Sequence, residues 1–222
     1  MPDQDSAPIT MEMIRETLYT AVVCDALDQL GYTNQSPRLQ FRPMTGCTKL
    51  VGRAKTTLWA DMAHVDPSPY ELELKAVDGC RPEEVMICAA GGSNRSGIWG
   101  ELLSTAASNS GCVGVIADGY VRDVAKMAEM GFACFALGTC MYDSANRQRV
   151  IDIDVNVAID GVRFQPGDLV VADLDGVVVV PHQIETEAIR RAWNKVHAEN
   201  ITRDAIKAGM KAAAAYEKYG VL

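Results

Sequence analysis

Between about residues 50 and 140, short apolar runs alternate with amphipathic stretches. Residues 51–59 read as a strand and 69–77 as a short helix. Residues 85–90 form a buried strand that stops at Gly91-Gly92. Residues 101–110 carry a helical pattern ended by Gly111, 113–117 a second buried strand, 124–130 a short helix closed by Gly131, and 132–137 a third buried strand. Strand–helix–strand alternation predicts an α/β architecture with a parallel component.

The pattern then changes. In residues 151–159 every odd position is apolar, which predicts one half-buried strand. Asp160-Gly161 supplies a tight hairpin turn. Pro166-Gly167-Asp168 and Asp175-Gly176 mark two more turns, with residues 169–172 and 177–180 as strands between and after them. This part reads as an antiparallel hairpin system.

Both ends read as helix. Residues 1–9 form a loose tail, and 10–31 a helix capped by Gly31. Residues 34–48, with Pro37, Pro43 and Gly46, form a loop. From 183 onward Ile184, Ala188, Ala192, Trp193 and Val196 share a helical face, and a second helix follows around 210–219. The expectation is one mixed α/β domain over 1–222, with layered β-sheets and outer helices.

Composition narrows the class. The 222 residues are 48% hydrophobic, enough for a sizeable core, and the formal net charge of −8 disfavours a phosphate backbone as partner. Nucleic acid is therefore not expected. The polar, acidic start lacks the pattern of a signal peptide, and no apolar run reaches bilayer length, so membrane association is not expected and a cytoplasmic location is. The seven Cys are odd in number and show no CxxC spacing. They read as reduced, mostly buried thiols rather than a zinc site.

Two adjoining segments carry candidate chemistry. The loop from Gly91 to Gly100 leads into a helix starting near Glu101, and backbone N–H groups at such a helix start favour a bound carboxylate. It is neither GxGxxG nor a Walker A loop, which argues against ATP, NAD and adenosylmethionine. The second segment is Asp118-Gly119-Tyr120-Val121-Arg122-Asp123, read as a loop after a buried strand. Arg122 can grip a carboxylate with two parallel hydrogen bonds and neutralise an enolate. Asp123 offers hard oxygen suited to Mg²⁺ or Mn²⁺. A surface ion pair capping the next helix is the structural alternative. His64, His182 and His197 have no partner at metal spacing, and Trp99 either walls a site or packs.

Glu101, twenty intervening residues, then Arg122-Asp123 resembles the Asp-x20-Arg-Asp signature of class II pyruvate aldolases. That family includes 4-hydroxy-4-methyl-2-oxoglutarate aldolase and the regulator of ribonuclease activity A. The likeness extends to Val23-Cys24-Asp25-Ala26-Leu27-Asp28, Gly114-Val115-Ile116-Ala117-Asp118-Gly119, Pro166-Gly167-Asp168, Val177-Val178-Val179-Val180-Pro181 and Tyr219-Gly220-Val221-Leu222.

The resemblance implies a swivelling β/β/α-type fold and a metal-dependent carbon–carbon lyase. It would release pyruvate from a 4-hydroxy-2-oxo acid and decarboxylate oxaloacetate through the same enolate. It also implies Asp123 as metal ligand and Arg122 as the grip on the pyruvate unit. Gly100, Glu101, Leu102 and Leu103 become the substrate-facing segment, and Glu199 an acidic residue lent by a neighbouring subunit of a homotrimer or a pair of trimers. A plain Glu199–Arg203 helix pair is the alternative for that residue. Glu101 departs from the signature's Asp by one methylene, which suits contact through water better than direct ligation. A non-catalytic, protein-binding regulator is the competing function; the regulator lacks the complete Arg-Asp pair that this chain keeps.

Overall fold

The computed structural model describes residues 8–221. Most of the expected loose tail, residues 1–7, therefore lies outside the described residues.

The parallel core forms as the alternation predicts. Strands β2 (Leu50–Asp61), β3 (Glu84–Ala89), β4 (Gly114–Val121) and β5 (Ala133–Thr139) lie side by side in chain order, each pair parallel. Helices α3 (Glu71–Asp78), α4 (Glu101–Asn109) and α5 (Val124–Glu129) make the crossovers. Along β3 the side chains divide by parity. Met86 and Cys88 pack with the helix residues Ala76, Ala107 and Met127, while Val85, Ile87 and Ala89 face the opposite core.

That opposite core is closed by β-structure. The outer edge of β2 is shared: β9 (Leu169–Ala172) pairs with its first part and β6 (Gln148–Ile153) with its last, both antiparallel. Strand β10 (Val177–Val180) extends β9, and a two-residue β1 (Arg42–Pro43) pairs with β5 inside the expected loop. Val170, Ala172, Val177 and Val179 meet Val85, Ile87 and Ile116, together with the hairpin of β7 (Val157–Ile159) and β8 (Val162–Phe164). The other face of β9–β10 carries α1 (Met11–Thr17), α2 (Thr20–Gln29) and the long α6 (Glu185–Lys207), with α7 (Ala212–Tyr219) against α6. One eight-stranded sheet thus curls over into two β-layers with helices outside each, the expected single mixed α/β arrangement. Four of the seven thiols are buried and all seven are free.

Three expected elements come out differently. The helix over 10–31 is two helices, broken where Leu18 and Tyr19 turn extended. Leu18 is buried there, and the second helix is capped from a distance: Thr20 donates its N–H (2.8 Å) and its hydroxyl (2.6 Å) to Asp173, in the turn after β9. Losing this cap should cost about 1 kcal/mol. Asp173→Ala is thus expected to lower the urea midpoint with an unchanged slope, as measured by circular dichroism.

The single strand over 151–159 is also broken. Asp154 sits at φ 55°, its N–H bonds to the Thr56 carbonyl, and its carboxylate meets Lys55 Nζ at 2.9 Å. Lys55 is buried in β2, and a buried ammonium needs this counter-charge more than the strand needs continuity. The turn at Asp160-Gly161 forms as expected, with φ of 50° and 75°. Finally, β4 does not stop at Ala117. It shifts register and runs on to Val121, so Asp118 to Val121 are strand rather than loop.

Candidate active site

The carboxyl ends of β3, β4 and β5, together with α3, enclose one cavity of about 310 Å³. Trp99 and Gly100 line it from the β3–α4 connection, Leu102 and Leu103 from the first turn of α4, Arg122 and Asp123 from the end of β4, Asp143 and Ser144 from beyond β5, and Glu73 and Tyr70 from α3 and the residue before it. Its size suits a small organic acid.

The extension of β4 makes this convergence possible. Gly97 bridges to Tyr120 in parallel, Ile98 donates to the Tyr120 carbonyl, and Arg122 N donates to Trp99 O at 2.8 Å. The Gly-rich connection therefore runs beside the strand as a short extra ribbon. The approach requires glycine at 97, where a Cβ would lie 2.4 Å from the Cys140 carbonyl oxygen; a Cβ on Gly100 would displace the Asp123 carboxylate, 2.6 Å away. Trp99 is buried, donates to Ser104 Oγ at 2.8 Å and stacks on Phe132, so it both packs and walls the cavity.

Arg122 is held at one end only. Its Nη2 reaches Asp143 Oδ2 at 2.7 Å, while its Nε is 3.8 Å from Asp123 Oδ2. Asp143 is anchored in turn, accepting from Tyr70 Oη at 2.6 Å and Ala145 N at 2.7 Å. Burial alone would raise the Asp143 carboxyl, but these two bonds and the Arg122 charge outweigh it and hold it below the usual carboxylate range. The bond to Asp143, with burial, pushes the Tyr70 phenol up to about 12.

Asp123 occupies the N-cap position of α5 in a left-handed conformation, φ 55°, yet makes no capping hydrogen bond. Its Oδ2 instead faces the N–H of Glu101 at 3.4 Å, on a different helix. The structural alternative, a surface ion pair capping the next helix, is thus not what forms: the short bond of Arg122 goes to Asp143, and Asp123 turns toward the start of α4.

Of the residues expected at the site, Arg122, Asp123, Gly100, Leu102 and Leu103 meet in this cavity. Glu101 contributes its N–H, while its carboxylate lies along α4, 3.4 Å from Thr105 Oγ1. Within one chain Glu199 is not brought to the cavity. It sits on α6, bonded by the Tyr19 hydroxyl, with Lys195 and Arg203 each at 3.8 Å, and lines a separate hollow. The Glu199–Arg203 helix pair is therefore present. None of the three His lines the cavity.

The titratable lining residues that the sequence motifs do not point to are Tyr70, Glu73 and Asp143. For Glu73 a signal existed. Glu73, Ala76, Val77 and Cys80 form the buried stripe of α3 and the turn after it, at helical spacing, so a carboxyl occupies an apolar position. Asp143 offered no such signal, because its place depends on how the chain leaves β5.

Stacked β-layers flanked by helices, with a guanidinium and carboxylates gathered at the carboxyl ends of parallel strands, define an α/β protein with a polar cavity of small-molecule size. The family model described as RraA-like, Aldolase/RraA, matches residues 20–179, and the chain belongs to that family. It is 30% identical over 200 residues to a Halalkalibacterium halodurans protein provisionally named 4-hydroxy-4-methyl-2-oxoglutarate aldolase, covering 90% of each chain. Among solved structures it resembles an uncharacterised protein from Pseudomonas syringae pv. tomato, with TM-score 0.83, 29% identity and 98% of each chain covered. It also resembles Streptomyces coelicolor RraAS2, described as an unusual member of the RNase ES inhibitor RraA protein family, with TM-score 0.78, 27% identity, and 91% of this chain and 99% of that one covered. Among the described residues no helix is long and apolar enough to cross a membrane.

Proposed function

We propose that this chain is a divalent-metal-dependent class II pyruvate aldolase. It cleaves a 4-hydroxy-2-oxo acid to pyruvate and a second carbonyl compound, and decarboxylates oxaloacetate through the same enolate. The observation that carries this reading is the meeting of Arg122 and Asp123 in one small-molecule cavity, with Arg122 anchored by a single nitrogen. Its remaining donors are free to hold the substrate carboxylate and the enolate oxygen as negative charge grows there.

The residues fit a hard ion carried mainly by water. Among the described residues, no three His, Cys, Asp or Glu side chains form a cage. Asp123 makes only long contacts, at 3.4 Å and 3.8 Å, which leaves its lone pairs for Mg²⁺ or Mn²⁺. Such an ion, when bound, supplies positive charge for the keto and carboxylate oxygens of the substrate. Arg122 then orients the pyruvate unit, and Trp99, Leu102 and Leu103 exclude water from it. The active assembly is a homotrimer or a pair of trimers, in which Glu199 of one copy would approach the cavity of the next. The exposed Ile201 beside it supports a buried contact there.

The likeness to RraAS2 supports the alternative, a protein-binding regulator. An open cavity carrying the complete Arg122-Asp123 pair favours the enzyme. The test is pyruvate release from a panel of 4-hydroxy-2-oxo acids and oxaloacetate. Release is expected with Mg²⁺ or Mn²⁺, should stop with EDTA and should return on adding metal. Full activity in metal-free protein, or no release from any 2-oxo acid, would overturn the reading.

A further inference from the structure

Cleavage of a 4-hydroxy-2-oxo acid takes the proton from the C4 hydroxyl, breaks C3–C4 and leaves the bonding pair on the pyruvate unit as an enolate. C3 must then gain a proton. Arg122 does not give one, because a guanidinium stays protonated. Asp143 is held ionised by Tyr70, Ala145 and Arg122, and the Tyr70 proton is committed to Asp143. Asp123 is the carboxylate assigned to the ion. The remaining titratable side chain of the cavity lining is Glu73.

Glu73 stands on α3, 6% exposed, and its Oε2 is sealed from solvent without a hydrogen-bond partner. We propose that Glu73 is the catalytic acid of this cavity, giving its carboxyl proton to C3 of the pyruvate enolate; the assignment rests on the aldolase reading above. The Glu73 O–H bond breaks, a C3–H bond forms, and the electron pair stays on Glu73 as carboxylate. The proton it gives is the one it has just taken: Glu73 enters as carboxylate, accepts the C4 hydroxyl proton as C3–C4 breaks and passes it to C3, so each turnover balances without a further reactant. In oxaloacetate decarboxylation CO₂ leaves in place of the second carbonyl compound, and water reprotonates Glu73.

The surroundings favour this cycle. A buried carboxylate with an orphaned oxygen is a costly anion. The groups that bear on Glu73 are Asp143 and Ser144 beyond β5, Arg122 at the end of β4, Tyr70 ahead of α3, and the Cys88 thiol of β3. Burial, then the Asp143 charge, pushes Glu73 up to about 8, against opposing pulls from Arg122 and a Ser144 hydrogen bond. Two acidic residues of one cavity are thereby driven apart, Asp143 down and Glu73 up, the pattern that separates a proton-transferring group from a charge-holding partner.

The test uses the full chain with Mg²⁺ and pyruvate in D₂O, following replacement of the methyl hydrogens by proton NMR. Glu73→Gln is expected to slow exchange on the order of 10²-fold or more. Its affinity for oxalate, a planar enolate mimic, should stay within about threefold of wild type, and the melting temperature should not fall. Should Gln unfold the chain, Glu73→Met keeps the volume and carries the same assay. Exchange at the wild-type rate overturns the role of Glu73 alone. Loss of oxalate binding together with exchange also overturns it, since Glu73 would then shape the site rather than donate. A wild-type chain inert in both exchange and oxaloacetate decarboxylation overturns the aldolase reading itself.

Discussion

Arg122→Lys is expected to lower the turnover number for oxaloacetate decarboxylation by roughly 10²–10³ while leaving the melting temperature nearly unchanged. The two halves of this expectation have separate causes. In the folded chain the Arg122 side chain is 36% exposed and pairs with Asp143, itself 35% exposed. Such a pair contributes about 0–1 kcal/mol, and lysine keeps its charge. On the proposed reading one nitrogen is taken by Asp143, and the planar fork would offer the others to the substrate; an ammonium cannot reproduce that geometry. Turnover and melting are measured side by side. A variant within about threefold of wild type, on the order of 0.7 kcal/mol of barrier, would make Arg122 structural and move the site elsewhere.

Asp123→Asn should remove metal-dependent activity almost completely, on the order of 10³ or more in turnover, without loss of fold. Asparagine is suited to the backbone here, because Asp123 lies at φ 55°, where Asn and Asp are among the few side chains tolerated. The amide also keeps an oxygen for the Glu101 N–H, but not the negative charge that holds a hard cation. Pyruvate release against Mg²⁺ concentration, with circular dichroism as the control for folding, checks both parts. A variant that keeps wild-type metal dependence would remove Asp123 from the ion site.

Where neighbours in sequence settle the geometry, the hydrophobic pattern and the structure agree. The runs at 85–90, 169–172 and 177–180 became β3, β9 and β10 within a residue, because a short apolar run between turn residues has one economical fate. Arg122 and Asp123 were legible because they are adjacent at the end of a buried strand, so a single backbone turn delivers both. The misses share the opposite property. The break at Leu18-Tyr19 depends on Asp173, the break at Asp154 on Lys55, and the extension of β4 past Ala117 on Gly97 alongside it. Each partner lies far along the chain, where periodicity carries no information.

Hydrophobic pattern and turn residues thus determined the α/β class, the parallel core, the hairpin half and the presence of a guanidinium–carboxylate pair, since all of these follow from neighbours in sequence. The tertiary structure alone decided that Tyr70, Glu73 and Asp143 close the cavity around that pair, that Asp143 rather than Asp123 holds Arg122, and that burial raises the Glu73 carboxyl while hydrogen bonds and Arg122 hold Asp143 down. Those outcomes depend on burial and on the distance between charges, and both exist only once β2 to β5 have brought their carboxyl ends together.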